Sequence, residues 1–231
     1  MARRSLVWLF DLDNTLHHAS HAIFPAIAKN MTEFIVKMLD QGHDAAAYER
    51  ANLLRLAYLH RFGATLKGVV DHHGVKAELF LEYAHQFENL ANMIRSERGL
   101  LRALSRLPGE KILFTNAPQQ YSRAMMHHLG LRRYFSDHIA IEAMQVHQQA
   151  QPKPSKRFLQ KFLAQRGLRA SDCVLVEDSL VNLRAAKQLG MRTVWVSGYV
   201  PKSNTQMTSQ WADIKVKSVF QLGHAYRRFF A

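Results

Sequence analysis

Apolar residues first gather in one short unbroken run, Leu6 to Phe10, which stops at Asp11. A run of that length predicts a strand covered on both faces, as in parallel sheets. The spacing then turns helical. Ile23, Ile27, Met31, Phe34, Ile35, Met38 and Leu39 predict one helix, with Gly42 as its stop. Tyr48, Leu53, Leu54, Leu56, Ala57 and Leu59 predict a second that ends at Phe62-Gly63. A third is expected from Val75 to Leu90, with Leu79, Phe80, Tyr83 and Phe87 inward.

Strands and helices alternate only after Ser96. A helix carrying Leu100, Leu101, Leu104 and Leu107 leads through Pro108-Gly109 into a strand, Lys111 to Phe114. Pro118 suits the first turn of the next helix (Tyr121, Met125, Leu129), which stops at Gly130. A short strand from His138 to Ile141, a polar loop, and a helix with Phe158, Leu159, Phe162 and Leu163 follow. Val174 to Val176 is a second fully apolar strand, Leu180 to Leu189 a helix closed by Gly190, and Arg192 to Val196 a buried strand; Asp213 to Val216 reads as an edge strand. This pattern predicts an α/β fold: a Rossmann-like parallel sheet core with helices on both faces, plus an α-helical cap inserted after the first strand. The core is expected at 1–17 and 96–231 and the cap at 18–95, as a lid over the end of the first strand.

Composition narrows the class. The chain has 231 residues, 48% of them hydrophobic and 10% aromatic, enough for a proper core and too many for disorder. No apolar run approaches membrane-spanning length, and Asp11 interrupts the basic-then-apolar start too early for a signal peptide. The single cysteine, Cys173, rules out an internal disulfide; it reads as a core residue in a cytoplasmic protein. The formal charge of +13 could steer anionic substrates or mark nucleic-acid binding. Its clusters are short, as at Ala2-Arg3-Arg4, Leu131-Arg132-Arg133 and Tyr226-Arg227-Arg228, with a basic aromatic end running to Phe230, and no zinc-finger spacing or RNA-binding aromatic signature accompanies them. A solvated basic surface is the preferred reading.

Reactive groups sit at the ends of these elements. Asp11 and Asp13 follow the first strand one residue apart. Two carboxylates converging on one point repel unless a proton or a hard cation, most simply Mg2+, lies between them, although Asp and Asn after a strand also make plain turns. Thr115-Asn116, between a strand and a helix N-terminus, can cradle an anion or simply cap the helix. Lys153 lies between Pro152 and Pro154, which stiffen the backbone that carries it. Glu177-Asp178 gives a second apolar strand a paired-carboxylate end. In a parallel sheet with right-handed crossovers all of these fall on one edge.

In that order, Asp11-Leu-Asp13-Asn-Thr15, Thr115-Asn116, Lys153 and Glu177-Asp178 resemble the four motifs of the haloacid dehalogenase superfamily of phosphohydrolases, over essentially the whole chain. The resemblance implies an Mg2+-dependent phosphomonoesterase in which Asp11 is the nucleophile and forms an aspartyl phosphate. Asp13 would then be acid and base, and Thr115, Asn116 and Lys153 would bind the phosphoryl group. Asp11, Asp13 through its backbone carbonyl, Asp178 and Glu177 would hold the metal. Asp13 argues against the dehalogenase branch, whose members lack that acid. Asn14 stands where Gly is common in related enzymes, and Asn tolerates left-handed backbone.

Within the superfamily the chain is similar to the pyrimidine 5'-nucleotidase-like branch, on Asp11 to Leu16, His60 to Gly68 and Glu177 to Ala186. The substrate expected from this is a small phosphate monoester, a pyrimidine nucleoside 5'-monophosphate, with Arg61, Phe62 and Lys67 of the cap setting specificity. The chain has Phe62-Gly63-Ala64 where members usually show Tyr-Gly-Thr, so a base contact through a hydroxyl is lost. The alternative is a phosphatase for a small sugar phosphate or phosphoglycolate, because one catalytic core serves many substrates. A non-catalytic nucleic-acid-binding protein is the remote alternative, resting on charge alone. His17, His18, His60, His72 and His73 show no metal-ligand spacing and read as surface or satisfied polar residues.

Overall fold

The computed structural model describes residues 6–40, 42, 44–199 and 210–229; the basic cluster Ala2 to Arg4 and the terminal Phe230 lie outside them. Six strands form one parallel sheet: β1 (Val7–Phe10), β2 (Glu110–Phe114), β3 (Asp137–Ile139), β6 (Cys173–Glu177), β7 (Arg192–Val196) and β8 (Ile214–Val216). Their order across the sheet is β3-β2-β1-β6-β7-β8, so the chain builds outwards in both directions from β1. Between β3 and β6 the polar loop contains a two-stranded antiparallel ribbon, β4 (Gln145–Val146) and β5 (Gln149–Ala150), which the sequence pattern did not suggest. Its turn places both His147 and Gln148 at positive φ, the geometry that lets two residues close a hairpin.

The continuous apolar runs are explained by helices on both faces. On one face Val7, Leu9, Ile112, Phe114, Cys173 and Leu175 pack against Phe158, Phe162, Leu163, Leu183 and Ala186 from the helices Lys156–Gln165 and Leu180–Gln188. Side chains of alternate parity point the other way: Trp8 meets Tyr226 and Phe229, and Phe10 meets Phe135 edge-on. Cys173 is fully buried, and that burial pushes its thiol up to about 12.

The chain divides into two compact units, one of the described residues up to Ser20 together with those from Ile94 onward, the other His21–Met93. The second unit is all helix: Ile23–Leu39, Ala45–Phe62, Thr65–His73, Ala77–Ala84 and Leu90–Met93. Its core is Ile35, Val36, Ala51, Tyr58, Val69 and Phe80. Three local expectations change here. The first helix stops at Asp40, which takes the left-handed conformation itself, ahead of Gly42. The second helix buries Ala47, Ala51 and Tyr58, whose ring lies over Gly68, and leaves Leu53 60% exposed, with Leu56 and Leu59 also exposed. The expected third helix is preceded by another, Thr65–His73, on which Tyr58 lies flat. A Cβ at Gly68 would stand 2.1 Å from Tyr58 Cγ, so only glycine admits that ring. Among the described residues no helix is long and apolar enough to cross a membrane.

Candidate active site

The register of the sheet builds the site. Phe10 lies opposite Val176 in the parallel pairing of β1 with β6, and the Asp11 backbone N–H donates to the Val176 carbonyl at 3.0 Å. Asp11 and Glu177, the next residue on each strand, therefore emerge side by side from the C-terminal edge, where ligands of open parallel sheets bind. Thr115 follows β2 on the same edge.

Lys153 joins these strand ends. Its ammonium donates to Asp11 Oδ1 at 2.6 Å and to Glu177 Oε2 at 2.7 Å, with all three side chains buried. The loop that carries it is held by Asn116, whose Nδ2 donates to the Lys153 carbonyl at 3.0 Å and whose Oδ1 accepts from the Lys153 N–H at 2.8 Å. The Asn116 amide is thus engaged through both its atoms in setting Lys153. Thr115 Oγ1 accepts from the Ala117 N–H at 3.0 Å. The helix after Lys153 begins at once, capped by Ser155 Oγ, which accepts from the Phe158 N–H.

Asp11, Glu177 and Asp178 each bring a carboxylate oxygen to within 4.8 Å of the others. One lysine does not neutralise three carboxylates, and the ionisation shows it. Burial, followed by the charge of Glu177, raises the Asp11 carboxyl to about 7 even beside Lys153. Burial, with Glu177 and Asp11 close by, raises Asp178 to about 9. Glu177 goes the other way: burial opposes its charge, but Lys153, a hydrogen bond from Asp178 and the Ser179 N–H hold it below the usual carboxylate range. A cluster of hard oxygen donors that must keep protons to remain together is one a divalent cation fits, by displacing them.

Asp13 stands beside this cluster, its side chain 14% exposed. Two donors meet on one of its oxygens: the Tyr121 hydroxyl donates to Oδ1 at 2.7 Å, and His17 Nε2 lies 2.8 Å from the same atom. Thr15 Oγ1 donates to Asp11 Oδ2 at 3.2 Å. The turn that makes this possible passes through Asn14, at φ 58°, whose side chain is pinned by two hydrogen bonds with Ser20. His17 is fully buried and belongs to the site, whereas sequence placed it with the polar or surface histidines. In the sequence Tyr121 is one of the residues that mark its helix, Gln119–His128; the signal for a role here is that a buried tyrosine hydroxyl needs a partner.

The three cap positions engage one another. The Phe62 ring meets Tyr58 and the edge of His72, with the Arg61 guanidinium 5.2 Å and the Lys67 ammonium 5.9 Å from its centre. Lys67 also pairs with Asp71 at 2.5 Å. Of the other histidines, His73 Nε2 is 2.8 Å from the Tyr58 hydroxyl, and His18 stacks on Tyr199 at 5.0 Å.

Residues 8–196 match the family described as haloacid dehalogenase-like hydrolase. A phosphoglycolate phosphatase of Rhodospirillum rubrum is 28% identical over 196 residues, covering 83% of this chain and 79% of that protein. Among solved structures, a HAD phosphatase from Thermococcus onnurineus superposes with a TM-score of 0.66 at 19% identity, covering 99% of this chain and 98% of that one. CbbY from Rhodobacter sphaeroides, solved in complex with phosphate, gives 0.64 at 18% identity, covering 95% and 97%. At these identities the two structures speak for the fold.

Proposed function

Because the chain belongs to the haloacid dehalogenase-like hydrolase family, we propose that it is a phosphomonoesterase that works through an aspartyl-phosphate intermediate and acts on a small phosphorylated acid or sugar. The observation that carries the reaction is the bridge of Lys153 between Asp11 and Glu177, with Asp178 alongside. It supports this reading, since a carboxylate, a buried ammonium and a cluster of hard oxygen donors meet at one strand edge. In phosphoryl transfer, positioning and charge neutralisation carry most of the barrier reduction. Asp11 is the nucleophile; Lys153 lets that anion approach an anionic ester; Thr115 holds a phosphoryl oxygen. Asp13 protonates the leaving group and then takes the proton of the attacking water. Mg2+ would be held by Asp11, Asp178, Glu177 and the Asp13 carbonyl, and when bound it neutralises charge on the transferring group.

For the substrate, the phosphoglycolate phosphatase similarity supports a small, compact ester. The second reading, a pyrimidine nucleoside 5'-monophosphate, rests on the cap stretch His60 to Gly68. The contacts of Phe62 favour the first, since its ring is already occupied by His72, Tyr58 and two cations, which compete with a stacking base. Phosphate release with Mg2+ from phosphoglycolate, sugar phosphates and nucleoside monophosphates, ranked by kcat/KM, tests this. A two- or three-carbon phosphate or a hexose phosphate should lead; UMP or CMP at the top would reverse the substrate assignment. Substantial turnover by Asp11→Asn would overturn the mechanism.

A further inference from the structure

His17 is a costly residue in the place it occupies. It is fully buried; Nε2 reaches Asp13 Oδ1, while Nδ1 has no hydrogen-bond partner among the described residues. A leucine or phenylalanine would fill the space without stranding a nitrogen, and buried polar atoms without partners are rare. Such departures from local consistency concentrate where function demands them. The stranded atom also selects the tautomer. With its hydrogen on Nε2, His17 donates to Asp13 and leaves only a lone pair unmet; with the hydrogen on Nδ1 it would bury an N–H without an acceptor.

Tyr121 donates to the same Oδ1. Two donors on one carboxylate oxygen leave no room for a proton there, so the acid form of Asp13 carries its proton on Oδ2. On this basis, and resting on the assignment of Asp13 as acid and base, we propose that His17 and Tyr121 are positioning residues that dictate which oxygen of Asp13 exchanges the proton. In the first step an Asp11 oxygen bonds to phosphorus, the ester P–O bond breaks, and the Oδ2 proton passes to the leaving oxygen. In the second, water loses a proton to Oδ2 as its oxygen bonds to phosphorus and the Asp11–phosphorus bond breaks, restoring both carboxyl groups. Oδ1 stays with His17 and Tyr121 throughout. Neither contact was visible in sequence: His17 lies four positions from Asp13, but Tyr121 lies 108 away.

The test exploits the leaving group. An alkoxide must be protonated as it departs, whereas p-nitrophenolate need not be, so misplacing the proton harms only the former. Rapid-mixing rates of alcohol or phenol release would be measured for the best alkyl phosphate of the substrate panel and for p-nitrophenyl phosphate. For His17→Leu and Tyr121→Phe, the loss on the alkyl ester should exceed that on p-nitrophenyl phosphate by about tenfold or more. His17→Gln, whose amide N–H can reach where Nε2 sits, should recover most of the alkyl rate and keeps the question answerable if the leucine variant folds poorly. Equal losses on both esters, or none on either, would overturn the proposal. If Asp13→Asn instead matches wild type on the alkyl ester, the assignment of Asp13 falls and takes the proposal with it. Phosphate release from neither ester by wild type would overturn the phosphomonoesterase reading as well.

Discussion

Lys153 Nζ lies 2.6 Å from Asp11 Oδ1 across 142 positions of sequence, in a buried contact that also takes in Glu177. Desolvating an ammonium and two carboxylates is repaid only while all partners are present. Lys153→Met should therefore leave the carboxylates uncompensated and destabilise the protein by about 3–5 kcal/mol near neutral pH. Denaturant unfolding would read this, and the loss should shrink at acid pH as Asp11 takes up a proton. Phosphate release should fall by at least about 100-fold, because a fixed cation at the reacting group is removed.

The carboxylate cluster should couple stability to pH and to any divalent cation it holds. Asp11 and Asp178 are raised in the folded chain from 3.8 to about 7 and about 9, so their contribution is whole below about pH 4 and is lost as pH rises through those values. Glu177 is lowered, so its contribution is present above the usual carboxylate range and is lost as pH falls through its folded value. Without metal, the melting temperature should thus decline from mildly acid to alkaline pH. A divalent cation held by these carboxylates would displace the protons, so the rise in melting temperature with Mg2+ should be larger near about pH 9 than near about pH 6. A rise independent of pH would contradict the assignment of these carboxyls as its ligands.

Asn116 tests the support of the site. Asn116→Ala removes both hydrogen bonds to the Lys153 backbone and should cost about 1–2 kcal/mol of stability. With the lysine less well placed, KM for the phosphate ester should rise, as should the inhibition constant for inorganic phosphate. Unchanged values for both would show that Lys153 is held by its carboxylates alone.

Gly68 tests the packing of the helical unit. Gly68→Ala puts a methyl 2.1 Å from Tyr58 Cγ and should lower stability by about 1–3 kcal/mol, measured by thermal or denaturant unfolding. Pairing it with Tyr58→Leu should return part of that loss, since the ring that collides is gone.

Much of the sheet could be read directly. Leu6 to Phe10 and Val174 to Val176 are apolar without interruption, as a strand between two helix layers must be, and both end in carboxylates. The helical unit is less legible, for a physical reason. Leu53, Leu56 and Leu59 fall at helical spacing, yet Ala47, Ala51 and Tyr58 form the buried face, the Tyr58 ring fitting over the bare backbone of Gly68. Thr65–His73 is not legible from apolar spacing because its packing depends on an absent side chain, Gly68 beneath Tyr58.

By themselves the residues determined the order of strands and helices and the carboxylate, hydroxyl and lysine groups at their ends, since periodicity and strand termini are local properties of the chain. Only the tertiary structure decided how those groups pair. The register of β1 with β6 sets Asp11 beside Glu177, Asn116 holds the loop that sends Lys153 between them, and the helix Gln119–His128 delivers Tyr121 to the oxygen of Asp13 that His17 also takes. Such pairings join residues far apart in sequence, and they exist only once burial has made an unpartnered charge or hydroxyl too unfavourable to leave alone.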